Sequence, residues 1–366
     1  MSTRIGIVGM PNAGKSSLFN ALTKAGAEAA NYPFTTIEPN VAVVPVRDAR
    51  LEQVAEVVGA SEIVWDTIDF HDIAGLVAGA HQGEGLGNRF LANIRETDAI
   101  VHVVRAHGDE GVVHPEGRVD PLADIGTIET ELQLADLEQA ERRVERVAKQ
   151  ARGGDRVAKA EEAWLTEVIA ALQAGRAVRT VPVPEQAPHA ARDLGSLTAK
   201  PVLFVANIDE GAGDQLPEAI AAHAAAQGAR AVAVSARIES ELAELDEQEA
   251  RAMRAELGAG GEDSQAPIER VVGEAFALLE LIAFFTAGEA KPAQSWHLRR
   301  GLSAWHAAGE IHTDIQKGFV RAEVIGWREL IDAGGYAGAR ERGTLRLEGR
   351  DYVIADGEVI TVKFSP

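Results

Sequence analysis

The sequence predicts an α/β protein in which a helix-covered parallel sheet is interrupted by a helical hairpin and followed by a small strand-rich module. Three observations carry that reading. Apolar strand-like runs at 5–8, 68–71 and 100–104 alternate with helical or loop segments through residue 125, the pattern of a parallel sheet with helices on its faces. From about Ile128 the texture becomes a long helical period, and from about Ala283 short β-rich runs dominate.

The first run leads into Gly9-Met10-Pro11-Asn12-Ala13-Gly14-Lys15-Ser16, and a helical segment at 17–22 follows. Strand, glycine-rich turn and helix in this order make a phosphate-binding loop. Glycines let successive backbone N–H groups face phosphate oxygens, Lys15 reaches the β/γ-phosphates, and the Ser16 hydroxyl suits Mg²⁺. Asn12, Ala13, Gly14, Lys15, Ser16 and Ser17 are therefore expected to hold a nucleoside triphosphate, with Lys15 also serving catalysis.

Phosphoryl transfer needs metal and charge placement more than covalent chemistry. Asp72-Ile73-Ala74-Gly75 follows the run at 68–71, so Asp72 is expected to hold Mg²⁺ through water and the Gly75 N–H to meet the γ-phosphate. Between these motifs lies Asn31-Tyr32-Pro33-Phe34-Thr35-Thr36-Ile37-Glu38-Pro39-Asn40. Its threonines could complete the metal shell, with Thr36 expected to do so and Thr35 as the fallback. All of this should gather at the C-terminal ends of the strands.

Leu132, Ala135, Val144, Val147 and Ala151 keep a helical period until Gly153-Gly154 breaks it; Val157, Trp164, Leu165, Val168 and Leu172 resume it. An antiparallel helical hairpin is the simplest outcome. Arg142, Arg143, Arg146, Lys149, Arg152 and Lys159 make its distal part basic, either a solvated face or a contact for RNA or another partner. After a proline-punctuated connector at 181–188, the runs at 201–206 and 231–234 read as the last strands of the sheet. The hairpin is then an insertion, giving a nucleotide-binding domain at 1–127 and 200–280, a helical insertion at 128–199 and a final domain at 281–366. Residues 239–262 are acidic and helical in pattern, and 271–281 is an apolar helix. Strands are expected at 295–298, 319–325, 344–347, 352–354 and 359–364, with Asp356-Gly357 as a hairpin turn between the last two.

Charge is uneven. The chain has 36 basic and 56 acidic side chains, a net of −20, and the last 86 residues hold eleven of each. The first 280 residues carry the whole excess, which excludes the entire surface as a nucleic-acid footprint and leaves the C-terminal part least repulsive to a polyanion. There is no cysteine, so disulfides and thiolate chemistry are excluded. No apolar run reaches membrane length and no cleavable leader is visible, so a soluble cytoplasmic protein is expected.

Base selection should come from Asn207-Ile208-Asp209-Glu210 after the run at 201–206, with Ser235-Ala236 closing the pocket. A guanine reader carries N-K-x-D, whose aspartate accepts from guanine N1 and N2. Here Ile208 replaces the lysine and Glu210 the aspartate. The longer side chain moves the carboxylate, and unmet guanine donors are costly to bury, whereas adenine lacks the 2-amino group. ATP is expected over GTP.

These segments, together with Leu76, Gly83-Glu84-Gly85-Leu86-Gly87-Asn88, Phe284-Phe285-Thr286-Ala287-Gly288, Ile311-His312-Thr313-Asp314, Lys317-Gly318-Phe319 and Arg321-Ala322-Glu323, resemble the YchF group of Obg-like ATPases nearly end to end. The resemblance implies a Ras-like nucleotide domain with an inserted coiled coil and a C-terminal TGS domain of β-grasp type. It also implies ATP hydrolysis in preference to GTP, and a role at the ribosome in translation or stress regulation, with RNA contact through the TGS domain and hairpin. Ras-type enzymes place a water-positioning glutamine where this chain has Leu76, which cannot orient water. The family's proposed substitute is a histidine on a loop, which corresponds to His114 in Gly111-Val112-Val113-His114-Pro115. Asn12 resembles the P-loop asparagine of potassium-stimulated relatives and suggests K⁺ beside the phosphates. Position 13 departs from the family's usual β-branched residue, and His71 takes a place more often apolar.

The resulting expectation is a slow, Mg²⁺-dependent ATPase switch whose loops around Thr35/Thr36 and 76–88 respond to the γ-phosphate. An Obg-type GTPase and a nucleotide-gated adaptor with incidental hydrolysis are the alternatives.

Overall fold

The computed structural model describes residues 3–29, 40–73, 86–108, 117, 119–257 and 266–365. Two compact units emerge, one formed by 3–44 and 69–278, the other by 45–68 and 279–366.

The larger unit is built on a six-stranded sheet. Its strands are β1 (Thr3–Val8), β2 (Val41–Pro45), β4 (Thr67–Asp72), β5 (Ala99–Arg105), β6 (Val202–Asn207) and β7 (Arg230–Val234), while β3 (Ile63–Val64) belongs to the other unit. Strand order is β2-β4-β1-β5-β6-β7. β1, β5, β6 and β7 pair in parallel, with Val8 opposite His102 and Val104 opposite Ala206. β5 and β6 are buried along their whole length, because helices cover both faces of a parallel sheet.

The helical hairpin is present, and it begins earlier than the change of texture at Ile128. Asp120 caps the first helix, Pro121–Arg152, by accepting from Ala123 N at 3.1 Å, and Pro121 suits the first helical position. The near end of this helix (Ile125, Ile128, Leu132 and Ala135) packs with Val8, Ile100 and Phe204 of the sheet. Its far end packs with the second helix, Arg156–Gln173, through Ala140, Val147, Trp164, Leu165 and Val168. Asp136 fastens the hairpin's base: fully buried, its carboxylate accepts from Ser196 Oγ, Leu197 N, Thr198 N and Thr198 Oγ1 at 2.6–2.8 Å.

The smaller unit carries a second six-stranded sheet in the order β11-β10-β12-β8-β9-β3, from β8 (Leu281–Thr286), β9 (Ala293–Arg299), β10 (Phe319–Gly326), β11 (Arg346–Glu348) and β12 (Glu358–Phe364). It is mixed: β12 pairs with β8 in parallel, β10 with β12 antiparallel. β8 is buried on both faces. Phe284 faces Leu298, Ala304, Ala307 and Val324, while Phe285 faces Leu51, Val54, Ile325 and Leu330.

Three expectations shift here. Residues 45–68 fall within the expected nucleotide domain by position, yet the apolar stripe of helix Ala49–Val58 (Leu51, Val54, Ala55, Val58) is buried against the second sheet. No strand forms at 352–354: the Ile354 amide bonds Leu302 O, Val353 makes an isolated bridge to Ser303, and Asp356-Gly357 is a turn outside any hairpin. The Asp356 carboxylate instead binds Arg50 Nη1 at 2.7 Å and accepts from Ala283 N. The predicted helix 271–281 ends at Leu278, and Leu281 opens β8.

Candidate functional site

The nucleotide cleft lies at the C-terminal ends of β1, β5, β6 and β7, where a doubly wound sheet places ligands. It has a volume of about 660 Å³ and is lined by Asn12, Gly14, Lys15, Ser16, Ser17, His107, Asn207, Ile208, Asp209, Glu210, Ser235 and Arg237.

The phosphate loop is shaped by two glycines. A Cβ at Gly9 would lie 2.5 Å from Val103 O, in the backbone of β5, so the loop can leave β1 this way only without a side chain. Gly14 has φ +100°, and a Cβ there would collide with the Asn207 amide. Asn12 adopts φ 63°, a left-handed conformation that asparagine tolerates better than most residues. Helix Lys15–Ala29 starts directly behind the loop, so its first N–H groups and positive dipole end suit an anion there. Lys15 Nζ donates to Gly9 O at 3.1 Å and Met10 O at 3.0 Å. Burial lowers the Lys15 pKa, opposed by the nearby Asp72 carboxylate.

Asp72 closes β4. Burial raises its pKa and Lys15 opposes the shift. Its Oδ1 is buried without a hydrogen-bond partner among the described residues. An uncompensated buried carboxylate oxygen is costly, and a hard divalent cation is the partner that oxygen ligands such as Asp72 and the Ser16 hydroxyl suit. Among the described residues no cluster of three or more His, Asp or Glu forms a metal site on its own.

Asn207 does something the base-pocket expectation did not include. Its side chain is buried; Nδ2 donates to Ala13 O at 3.1 Å and Oδ1 accepts from Ala236 N at 3.0 Å. One amide thus ties the phosphate loop to the turn after β7. Asp209 acts similarly, its two carboxylate oxygens each accepting from Gly108 N at 3.2 Å. Glu210 remains at the rim, where Arg237 Nε approaches its Oε1 at 3.3 Å.

Of the expected residues, the structure brings Asn12, Gly14, Lys15, Ser16, Ser17, Asn207, Ile208, Glu210 and Ser235 to one cleft, with Ala13 and Ala236 attached through Asn207. Thr35, Thr36, Gly75, Leu76 and His114 lie outside the described residues. Asp209 was named only as part of the base loop, without its tie to Gly108, and His107 and Arg237 were missed. Only their position just after β5 and β7 could have suggested them.

Comparison with known proteins agrees with this geometry. Residues 4–148 match a family model described as 50S ribosome-binding GTPase, and residues 281–365 match the model YchF-GTPase_C, described as a protein of unknown function. The chain is 48% identical to the ribosome-binding ATPase YchF of Haemophilus influenzae and 44% identical to that of Bacillus subtilis, covering 100% of both chains in each case. Its fold is similar to that of the Schizosaccharomyces pombe YchF GTPase, with a TM-score of 0.86 and 33% identity over 99% of this chain and 98% of that one. A GTP-binding protein from Pyrococcus horikoshii shares the fold at a TM-score of 0.62 and 20% identity.

Proposed function

We infer that this chain, which belongs to the YchF family, is a P-loop ATPase that binds the ribosome and changes state with its nucleotide. The observation that carries this reading is 44–48% identity over the full length to ribosome-binding ATPases, together with a phosphate loop whose strand, glycines, lysine and serine are all in place.

ATP over GTP is proposed from the base loop. Ile208 cannot act as the N-K-x-D lysine, and Glu210 is one methylene longer than the aspartate that meets guanine's paired donors. Ser16 and Asp72 would hold Mg²⁺, with Thr36 or Thr35 completing the shell; when bound, the ion neutralises charge on the β- and γ-phosphates. Lys15 carries its own charge to the same oxygens. Gly75 would meet the γ-phosphate. His114 is proposed to orient the attacking water, since Leu76 offers no hydrogen-bonding group. K⁺ beside Asn12 is a further proposal, and equal rates in KCl and NaCl would remove it. The hairpin and the C-terminal unit, read as a TGS domain, would supply the ribosome or RNA contact. No described helix is long and apolar enough to cross a membrane; a cytoplasmic location is proposed from the ribosome-binding relatives.

The name of the fission-yeast neighbour makes GTP the second reading. Competition of ATP and GTP for a fluorescent nucleotide, followed by single-turnover hydrolysis, separates the two. ATP should compete at lower concentration than GTP; the reverse order overturns the preference. Lys15→Ala should lose both nucleotides. His114→Ala should keep affinity and slow hydrolysis, and an unchanged rate would discard its role.

A further inference from the structure

We propose that Arg237 is a specificity-determining residue of this cleft, holding the Glu210 carboxylate so that guanine cannot use it. The proposal rests on reading the cleft as an ATP site, and it concerns how that choice is enforced.

Two carboxylates follow Asn207 in the base loop. Asp209 is turned to the Gly108 amide, whose single N–H is shared between the two carboxylate oxygens. Glu210 is therefore the carboxylate left to meet a base. Arg237 comes from a different element, the second residue of helix Ala236–Leu242 after β7. Its Nε lies 3.3 Å from Glu210 Oε1 and donates to Glu241 Oε1 at 3.1 Å. Both Arg237 and Glu210 line the cleft.

Guanine presents N1–H and the 2-amino group to whatever reads it, so it needs an acceptor with free lone pairs. A guanidinium has several N–H donors and no acceptor. The ion pair offsets the Glu210 charge and sets donors and positive charge where guanine also brings donors. Guanine must displace that contact or leave its own donors unmet, which is how a polar site rejects a misfit. Adenine has an unprotonated N1 and no 2-amino group. It neither needs Glu210 as acceptor nor opposes Arg237. The contact thus penalises guanine alone, a form of discrimination by an unfavourable pairing.

The size follows from exposure. Arg237 is 67% and Glu210 54% exposed, and an exposed ion pair of this kind changes an equilibrium by about two- to five-fold. Salt should shrink the effect, because the screening length falls from about 10 Å at 0.1 M to about 3 Å at 1 M.

The test is a set of competition constants for ATP and GTP with the full chain, Arg237→Ala, Glu210→Gln and the double variant, at low and high salt. Arg237→Ala should raise GTP affinity relative to ATP by about two- to five-fold. Adding Glu210→Gln should cancel that gain, and high salt should narrow the gap between wild type and Arg237→Ala. An unchanged GTP-to-ATP ratio in Arg237→Ala, or a gain that survives in the double variant, overturns the proposal. A wild-type preference for GTP would instead overturn the ATP reading, while the coupling between the two side chains is still read from the same constants.

Discussion

Replacing Asn207 with Ala removes one side chain and breaks two bonds that hold different loops together. The Ala13 carbonyl loses the Nδ2 donor at 3.1 Å, and the Ala236 amide loses the Oδ1 acceptor at 3.0 Å. Each buried group left unpaired costs about 1–3 kcal/mol. Water entering from the open cleft recovers part of this, so a loss of about 2–4 kcal/mol is expected. Because the amide spends both polar atoms on backbone, ATP and GTP should weaken together, by about ten- to a hundred-fold when part of this energy falls on loop closure. Asn207→Asp keeps the acceptor and loses the donor, so its Ala236 amide should stay more protected than in Asn207→Ala. Hydrogen exchange at the Ala236 amide reads the bridge directly, and nucleotide titration reads its consequence. Wild-type exchange at Ala236 in Asn207→Ala, or a loss confined to one nucleotide, would refute the bridging role.

Two further perturbations test other parts of the account. Gly9→Ala would set a Cβ 2.5 Å from Val103 O, where backbone of a central strand cannot retreat. Fluorescent-nucleotide titration should show affinity down by about five- to a hundred-fold, as overpacking strain of about 1–3 kcal/mol displaces the phosphate loop; wild-type affinity would contradict the close approach. His102, buried against Phe204, has its pKa lowered to about 3, first by burial and then by the charges of His223 and Lys15. The folded chain therefore refuses a proton that the unfolded chain accepts below its ordinary pKa of about 6.5. This contribution is intact above that pH and is lost as pH falls, by about 1.4 kcal/mol per unit. His102→Leu should lose about 2 kcal/mol less than wild type between pH 7 and 5 in urea unfolding, and equal losses would remove the assignment.

What the sequence revealed depended on how local each feature is. The phosphate loop is one contiguous run fixed by its own glycines, and β4 delivers Asp72 directly, so both could be read from residue order. Asn207 was found, but its work was not: the partners Ala13 and Ala236 are distant in sequence, and only folding brings them together. Helix Ala49–Val58 shows an apolar stripe that fits either sheet equally well, and nothing in its own pattern says that Phe285 and Ile325 will cover it. The expected strand at 352–354 was a genuine β-rich run, overridden by the pairing of Ile354 with Leu302. Arg237 carries no motif at all, and its meaning comes solely from lying opposite Glu210.

The chain is proposed to bind the ribosome and to change state with its nucleotide, so its hold on the ribosome should depend on which nucleotide is bound. Co-sedimentation with ribosomes in ATP, ADP and no nucleotide, for wild type and Lys15→Ala, tests it most directly. The pelleted fraction should differ between ATP and ADP for wild type, and Lys15→Ala should show one value throughout. Equal pelleting of the wild type in all three conditions would contradict it.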